Sequence, residues 1–284
     1  MKKIVTLKDN TTLSNLGQGT WMLGEDPKKR TSEIESIRIG IDNGLTLIDT
    51  AEMYGNGSSE KLIGEAITGY NRNDLFLVSK VYPHNAGRDN IFNSCRDSIK
   101  RLGSDYLDLY LLHWRGHIPL KETINCMEEL IAEGIIKRWG VSNFDIDDME
   151  ELLSLPNGEH CMVNQVLYHL GSRGIDYSLY PFLKENDIAT MAYCPMAQAG
   201  SLKHNISHNL VLNEIADAHN ISVIELLLCF VLTKDEMIAI PRTGNPKHAL
   251  MNANAVNIVL TTDELDRIDK EFPKPTKKEY LDIV

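Results

Sequence analysis

The sequence predicts an eight-stranded (β/α)8 TIM barrel preceded by an N-terminal β-hairpin, with residues 1–284 forming a single domain. Three observations predict it. Seven apolar runs each stop at a polar or ring-bearing residue, namely Asp49, Lys80, His113, Ser142 with Asn143, Gln165, Tyr193 and Arg242, and a weaker eighth run stops at Thr20. From Thr20 to Tyr193 successive stops lie 23 to 33 residues apart, and a strand with its return helix occupies roughly 30 residues. The runs LTLID, LFLVSK, LDLYLLH and MAY are nearly continuous rather than alternating, as strands covered on both faces require. Parallel strands point one way, so the residues that end them collect at the face where α/β barrels hold their active sites.

The elements follow in order. Met1 to Thr12 alternates Ile4 and Leu7 with polar residues around Asp9-Asn10, which reads as a hairpin and not as a signal peptide. Ile34, Ile37 and Ile41 repeat at helical spacing, and Ser32 with Glu35 makes a capping box for that helix. Leu120, Ile124, Met127 and Ile131 mark another helix. The step from Tyr193 to Arg242 is 49 residues; Asn213–His219 and Ser222–Leu232 supply two helical patterns within it, and the loop from Cys194 to Ser207 reads as a flap. Thr261 with Glu264 caps the last helix. An open doubly wound sheet is the rival architecture, but it needs a glycine-rich turn directly after an early strand. Gly55-Asn56-Gly57 starts six residues after Asp49 and lacks a third glycine, so it does not supply that turn.

Composition narrows the function classes. A net charge of −11 gives no electrostatic footprint for nucleic acid or for an anionic membrane. No apolar stretch reaches the roughly 18 residues of a membrane span. Five scattered cysteines without C-x-x-C spacing read as reduced thiols, which points to a cytoplasmic protein. No cluster suited to a metal occurs, so no metal is expected.

Four residues carry the chemistry. A lysine ending an apolar strand is costly to bury unless a carboxylate lies near, and Asp49 ends the strand before that of Lys80. Alone, such a pair reads as a structural ion pair, and His113 alone reads as a satisfied polar residue. Tyr54, on the loop above Asp49, changes that reading. Its phenol can approach the Lys80 ammonium, and a neighbouring positive charge lowers a phenol's pKa from about 10. A tyrosine so tuned serves as a general acid, with His113 placed to hold a substrate oxygen.

Eight segments follow in order along the whole chain: Gly17-Gln18-Gly19-Thr20-Trp21, IDTAEMYGNGSSE (Ile48 to Glu60), LVSKVYP (Leu77 to Pro83), LDLYLLHW (Leu107 to Trp114), WGVSNF (Trp139 to Phe144), NQVLYH (Asn164 to His169), AYCPMAQ (Ala192 to Gln198) and AIPRTGNPKH (Ala239 to His248). In these the chain resembles the aldo-keto reductase family. Within the family it is most similar to bacterial reductases acting on methylglyoxal and other small carbonyl compounds. The resemblance implies NADPH as cofactor, with NADH as the weaker alternative, and no Rossmann domain. It implies Tyr54 as proton donor, Lys80 and Asp49 as its tuning pair, and His113 as the group that orients the carbonyl. Thr20, Ser142, Asn143, Gln165 and Tyr193 fall at nicotinamide-side cofactor positions. Pro195 and Asn252 fall at further cofactor positions, and Arg242, Thr243 and His248 at the adenosine end. There His248 replaces a common arginine and Met251 a common glutamate, which predicts a modest preference for NADPH. Trp21 and Trp114, with Tyr54 and His113, would line the substrate pocket. The segment after Phe272 is short and is expected to add little to its wall, leaving a small, open pocket. The expected partner is a small carbonyl substrate, the expected state a monomer. The alternative is a non-catalytic nicotinamide-binding regulatory subunit.

Overall fold

The computed structural model describes residues 4–197 and 206–284. Strands β1 (Ile4–Thr6) and β2 (Thr12–Ser14) pair antiparallel as the expected hairpin. Eight parallel strands then form one curled sheet in chain order: β3 (Gln18–Gly19), β4 (Leu47–Asp49), β5 (Phe76–Val81), β6 (Leu109–Leu112), β7 (Trp139–Ser142), β8 (Val163–Leu167), β9 (Ala189–Tyr193) and β10 (Met237–Ala239). Its two edges approach each other through parallel bridges from Leu16 to Ala239 and from Gly19 to Arg242. Gly19 is required at that approach: a Cβ there would sit 2.6 Å from the Ile240 carbonyl oxygen.

Strand periodicity sorts the side chains into two cores. Leu47, Phe76, Val78, Leu109, Leu111, Val163, Ala189, Met191 and Ile238 pack together inside the curl, where Val5 and Leu7 of the hairpin join them. Ile48, Leu77, Tyr110, Leu112, Val141, Val166 and Ala192 face the opposite way and pack under the helices. The Leu, Ile, Val, Phe and Met side chains among them each contribute roughly 1.5–3 kcal/mol on burial. Because side chains alternate along a strand, Asp49, Lys80, His113, Ser142, Gln165 and Tyr193 share the parity of the inner core. They form its polar upper layer.

The helices are α1 (Arg30–Asp42), α2 (Ser58–Ala66), α3 (Ile91–Leu102), α4 (Leu120–Ala132), α5 (Ile146–Ser154), α6 (Leu179–Glu185), α7 (Leu210–Ala218), α8 (Val223–Val231), α9 (Pro246–Asn254) and α10 (Thr262–Glu271). The two helices expected between Tyr193 and Arg242 are α7 and α8. The Thr261–Glu264 capping box is present on α10. The one expected at Ser32 is not: α1 starts at Arg30 without a side-chain cap, and the Ser32 hydroxyl donates to the Gly244 carbonyl. A tertiary acceptor took the hydroxyl that the local pattern assigned to a cap. Of the expected flap, residues 198–205 lie outside the described residues. Among the described residues no helix is long and apolar enough to cross a membrane.

Candidate active site

Lys80 lies at the centre of the site and is completely buried. Its ammonium donates to Asp49 Oδ2 at 2.8 Å, to the Thr50 carbonyl at 2.8 Å and to Tyr54 Oη at 3.1 Å. Three donors thus meet three acceptors, which is what a buried ammonium requires. Asp49 is held on its other oxygen by Gln165 Nε2 at 2.8 Å. Burial lowers the Lys80 pKa while Asp49, and next Glu60, pull it back up. Burial raises that of Asp49 against the opposing pull of Lys80. The two share one compact charge pair.

Tyr54 reaches this pair from a tight turn in which Gly55, Asn56 and Gly57 all take positive φ. The expectation that Lys80 draws the phenol's pKa down does not hold. Burial, then the charge of Asp49 and then Cys194, push it well above the ordinary value. A phenolate here would face a carboxylate across a water-poor gap, and Lys80 is already neutralised by that carboxylate. The phenol therefore keeps its proton at neutral pH, and its oxygen accepts from Lys80 while its O–H remains able to donate.

His113 stands beside it, with ring centroids 5.7 Å apart and planes at 73°. Burial, then the charge of Lys80, lower its pKa to about 2, so the imidazole is neutral. Its Nδ1 is buried without a hydrogen-bond partner. Trp114 packs on His113 at 4.9 Å and on Tyr82 at 5.8 Å. The indole backs the histidine and is not among the residues lining the cleft.

The opposite wall is a hydrogen-bonded row. Tyr193 Oη donates to Asn143 Oδ1 at 2.8 Å, Asn143 Nδ2 donates to the His113 carbonyl at 3.1 Å, and Ser142 Oγ donates to the Gln165 carbonyl at 2.9 Å. Asn143 adopts φ 59°, a left-handed conformation that asparagine tolerates better than most residues. Gln165 lies in the middle of β8 rather than at its end. Thr20 is fully buried; its hydroxyl donates to the Asp49 carbonyl at 2.8 Å and accepts from Ser59 on α2.

These groups surround a cleft of about 650 Å³, to whose wall Trp21, Met53, Cys194, Ile240 and Val284 also contribute. Of the final segment, expected to add little to the wall, Val284 lines the cleft. That segment is fastened by Asp282, which accepts from Ser172, and by Lys278, which bridges to Asp147 at 3.2 Å. Cys194 was missed because a cysteine after a strand-ending tyrosine carries no pattern of its own. Trp21 and Arg242 also line a second, wider cleft of about 1360 Å³, with Met196, Thr243, His248, Met251 and Asn252. Pro195 is buried beside these walls without lining either. All five cysteines are buried and none forms a disulfide.

The four residues singled out by strand ends and loop position have thus converged on one rim. Residues 15–271 match the model of the Aldo/keto reductase family.

The chain belongs to the aldo/keto reductase family.

The protein named methylglyoxal reductase YeaE of Escherichia coli (strain K12) is 50% identical to it over 283 residues, covering 100% of this chain and 99% of that protein. Glyoxal reductase of Bacillus subtilis (strain 168) is 34% identical over 268 residues, 93% of each chain. Among solved structures, an aldo-keto reductase from Klebsiella pneumoniae in complex with NADPH superposes with a TM-score of 0.97 at 47% identity, covering 100% of both chains.

Proposed function

We propose that this protein is an NADPH-dependent reductase that converts small aldehydes, ketones and α-dicarbonyl compounds such as methylglyoxal to alcohols. One observation carries the reading: a buried ammonium, charge-balanced by Asp49, donates to the oxygen of a phenol that opens onto the cleft. Tyr54 gives its proton to the carbonyl oxygen as that oxygen gains charge. Lys80 keeps its hydrogen bond to the phenol oxygen through the transfer, and Asp49 with Gln165 holds Lys80 in place. The neutral imidazole of His113 keeps one N–H, which can donate to the same oxygen and fix its direction.

The cofactor is tested by the walls of the two clefts, and they fit it. The clefts share Trp21 and Arg242, so one elongated ligand can occupy both. Tyr193 is pinned through its hydroxyl, which leaves its ring as a fixed plane. Ser142, Asn143, Gln165 and Thr20 would hold the nicotinamide end together with Pro195, while Arg242, Thr243, His248 and Asn252 would hold the other. Bound nicotinamide supplies the hydride. Arg242 lacks a carboxylate partner among the described residues, as suits a residue kept for a phosphate.

Val284, Trp21 and Met53 narrow the substrate side, which favours short carbonyl compounds. The names of the two curated relatives support the same class, and the regulatory-subunit alternative gains nothing from them. The same reading takes the chain as one closed (β/α)8 barrel domain, supported by the bridges between β3 and the end of β10. It places that domain in the cytoplasm, in keeping with five cysteines that form no disulfide. It works as a monomer, since large exposed apolar residues away from the clefts, such as Ile4, Leu210, Val259 and Tyr280, sit on separate elements.

The test follows the absorbance of reduced nicotinamide with methylglyoxal, with NADPH and NADH in parallel. Turnover with NADPH exceeding that with NADH is expected. No consumption of either cofactor, with methylglyoxal or with larger aldehydes, would reject the reading.

A further inference from the structure

We infer that Arg242 is a site of covalent modification by α-dicarbonyl compounds, and that bound cofactor shields it. The inference rests on the α-dicarbonyl reading above. Of the eleven arginines, nine are paired with carboxylates. Arg38 and Arg242 are the exceptions among the described residues, and residues 198–205 contain no Asp or Glu that could pair with either. Carboxylate pairing keeps a guanidinium protonated and occupies its N–H edges. An arginine without it is the better nucleophile.

Position separates the two exceptions. Arg38 is exposed on α1 and donates to the Ala66 and Glu65 carbonyls. Arg242 is half-buried and lines both clefts, so a small dicarbonyl that enters either cleft can reach it. Its Nε donates to the Trp21 carbonyl at 2.9 Å, its Nη2 reaches the Met22 carbonyl at a long 3.3 Å, and its Nη1 has no partner among the described residues. The terminal nitrogens are therefore the least committed part of the group.

The reaction balances without a redox partner. The guanidinium releases one proton to water. One terminal nitrogen then adds to the aldehyde carbon and the other to the ketone carbon. Each addition forms a C–N bond, opens a C=O π bond and moves a proton from nitrogen to oxygen. The product is a dihydroxyimidazolidine containing every atom of both partners, and loss of one water gives the imidazolone. The added ring fills the junction of the clefts and removes two N–H donors that a phosphate would use. An enzyme short of cofactor is thus disabled by the compounds it reduces.

In the experiment the protein is incubated with methylglyoxal, once alone and once saturated with NADP⁺, which cannot donate hydride. Adducts at residues 242 and 38 are followed by peptide mass, and NADPH affinity is measured after removal of reagent and NADP⁺. The expected result is faster modification at 242 than at 38, protection of 242 alone by NADP⁺, and NADPH affinity weakened by about tenfold or more after unprotected treatment. Arg242→Gln should lose no further affinity on the same treatment. Equal rates at the two arginines, modification of 242 unaffected by NADP⁺, or a modified enzyme with unchanged affinity would each overturn the inference. Untreated enzyme is assayed for methylglyoxal reduction in the same series; failure there rejects the functional reading, while the adduct masses still score the arginine.

Discussion

Around Lys80 every donor of the ammonium is committed to an acceptor within 3.1 Å and the whole group is sealed from water. Around Arg242 the cleft is wide, its neighbour His248 is exposed, and among the described residues the guanidinium is tied only to two backbone carbonyls. The contrast reflects two tasks. Proton transfer depends on geometry fixed to a fraction of an ångström and on a medium that does not screen charge. Holding the far end of a long cofactor requires an accessible cation that can be covered and uncovered. A site with one rigid end and one open end can keep its chemistry fixed while ligands exchange.

Four changes test that contrast, the first with the largest expected effect. Tyr54→Phe removes the proton donor while keeping the ring, so kcat for carbonyl reduction should fall by about 10²–10⁴-fold with NADPH affinity near wild type. Wild-type turnover in that variant would end the assignment. Next, Lys80→Met leaves Asp49 buried without its counter-charge, and unfolding stability should drop by about 3–5 kcal/mol in denaturant titration. A loss below about 1 kcal/mol would mean that water or relaxation rescues the carboxylate, and that the rigid end is less sealed than its contacts indicate. Arg242→Gln should act on binding alone, raising KM for NADPH by about ten- to a hundredfold with kcat little changed. If kcat falls instead, the two ends are one mechanical unit.

The fourth change concerns pH. His113 is held neutral in the folded protein with its pKa near 2, against about 6.5 in the unfolded chain. Between those values the unfolded state binds more protons, so stability rises with pH across that window. The contribution is complete above about pH 6.5 and is lost progressively as pH falls towards 2. His113→Asn should flatten the acid side of the stability profile in thermal melts at graded pH. An unchanged slope would show that the imidazole is not buried as a neutral group.

Much of this was readable along the chain. The apolar runs ending at Asp49, Lys80, Ser142 and Tyr193 are strands ending at those residues or one beyond, because a strand buried on both faces must be apolar until it emerges. Parity then placed the end residues on the inner face. Other features were not readable. Trp114 looked like a pocket wall and instead backs His113, since which face a loop aromatic presents depends on the loops beside it. Val284 reached the cleft because Lys278 and Asp282 found partners on distant segments. Ser32 spent its hydroxyl on Gly244 rather than on its own helix.

The sequence by itself determined the strand order, the helical intervals and the identity of the four groups at the rim, because these follow from local periodicity and from the direction that parallel strands impose. Tertiary structure alone decided the protonation state of Tyr54, the fully committed donors of Lys80, the missing carboxylate at Arg242 and the closing of the wall by Val284. Burial, charge balance and hydrogen-bond saturation are sums over neighbours far apart in the chain, and those neighbours are defined only once the chain has folded.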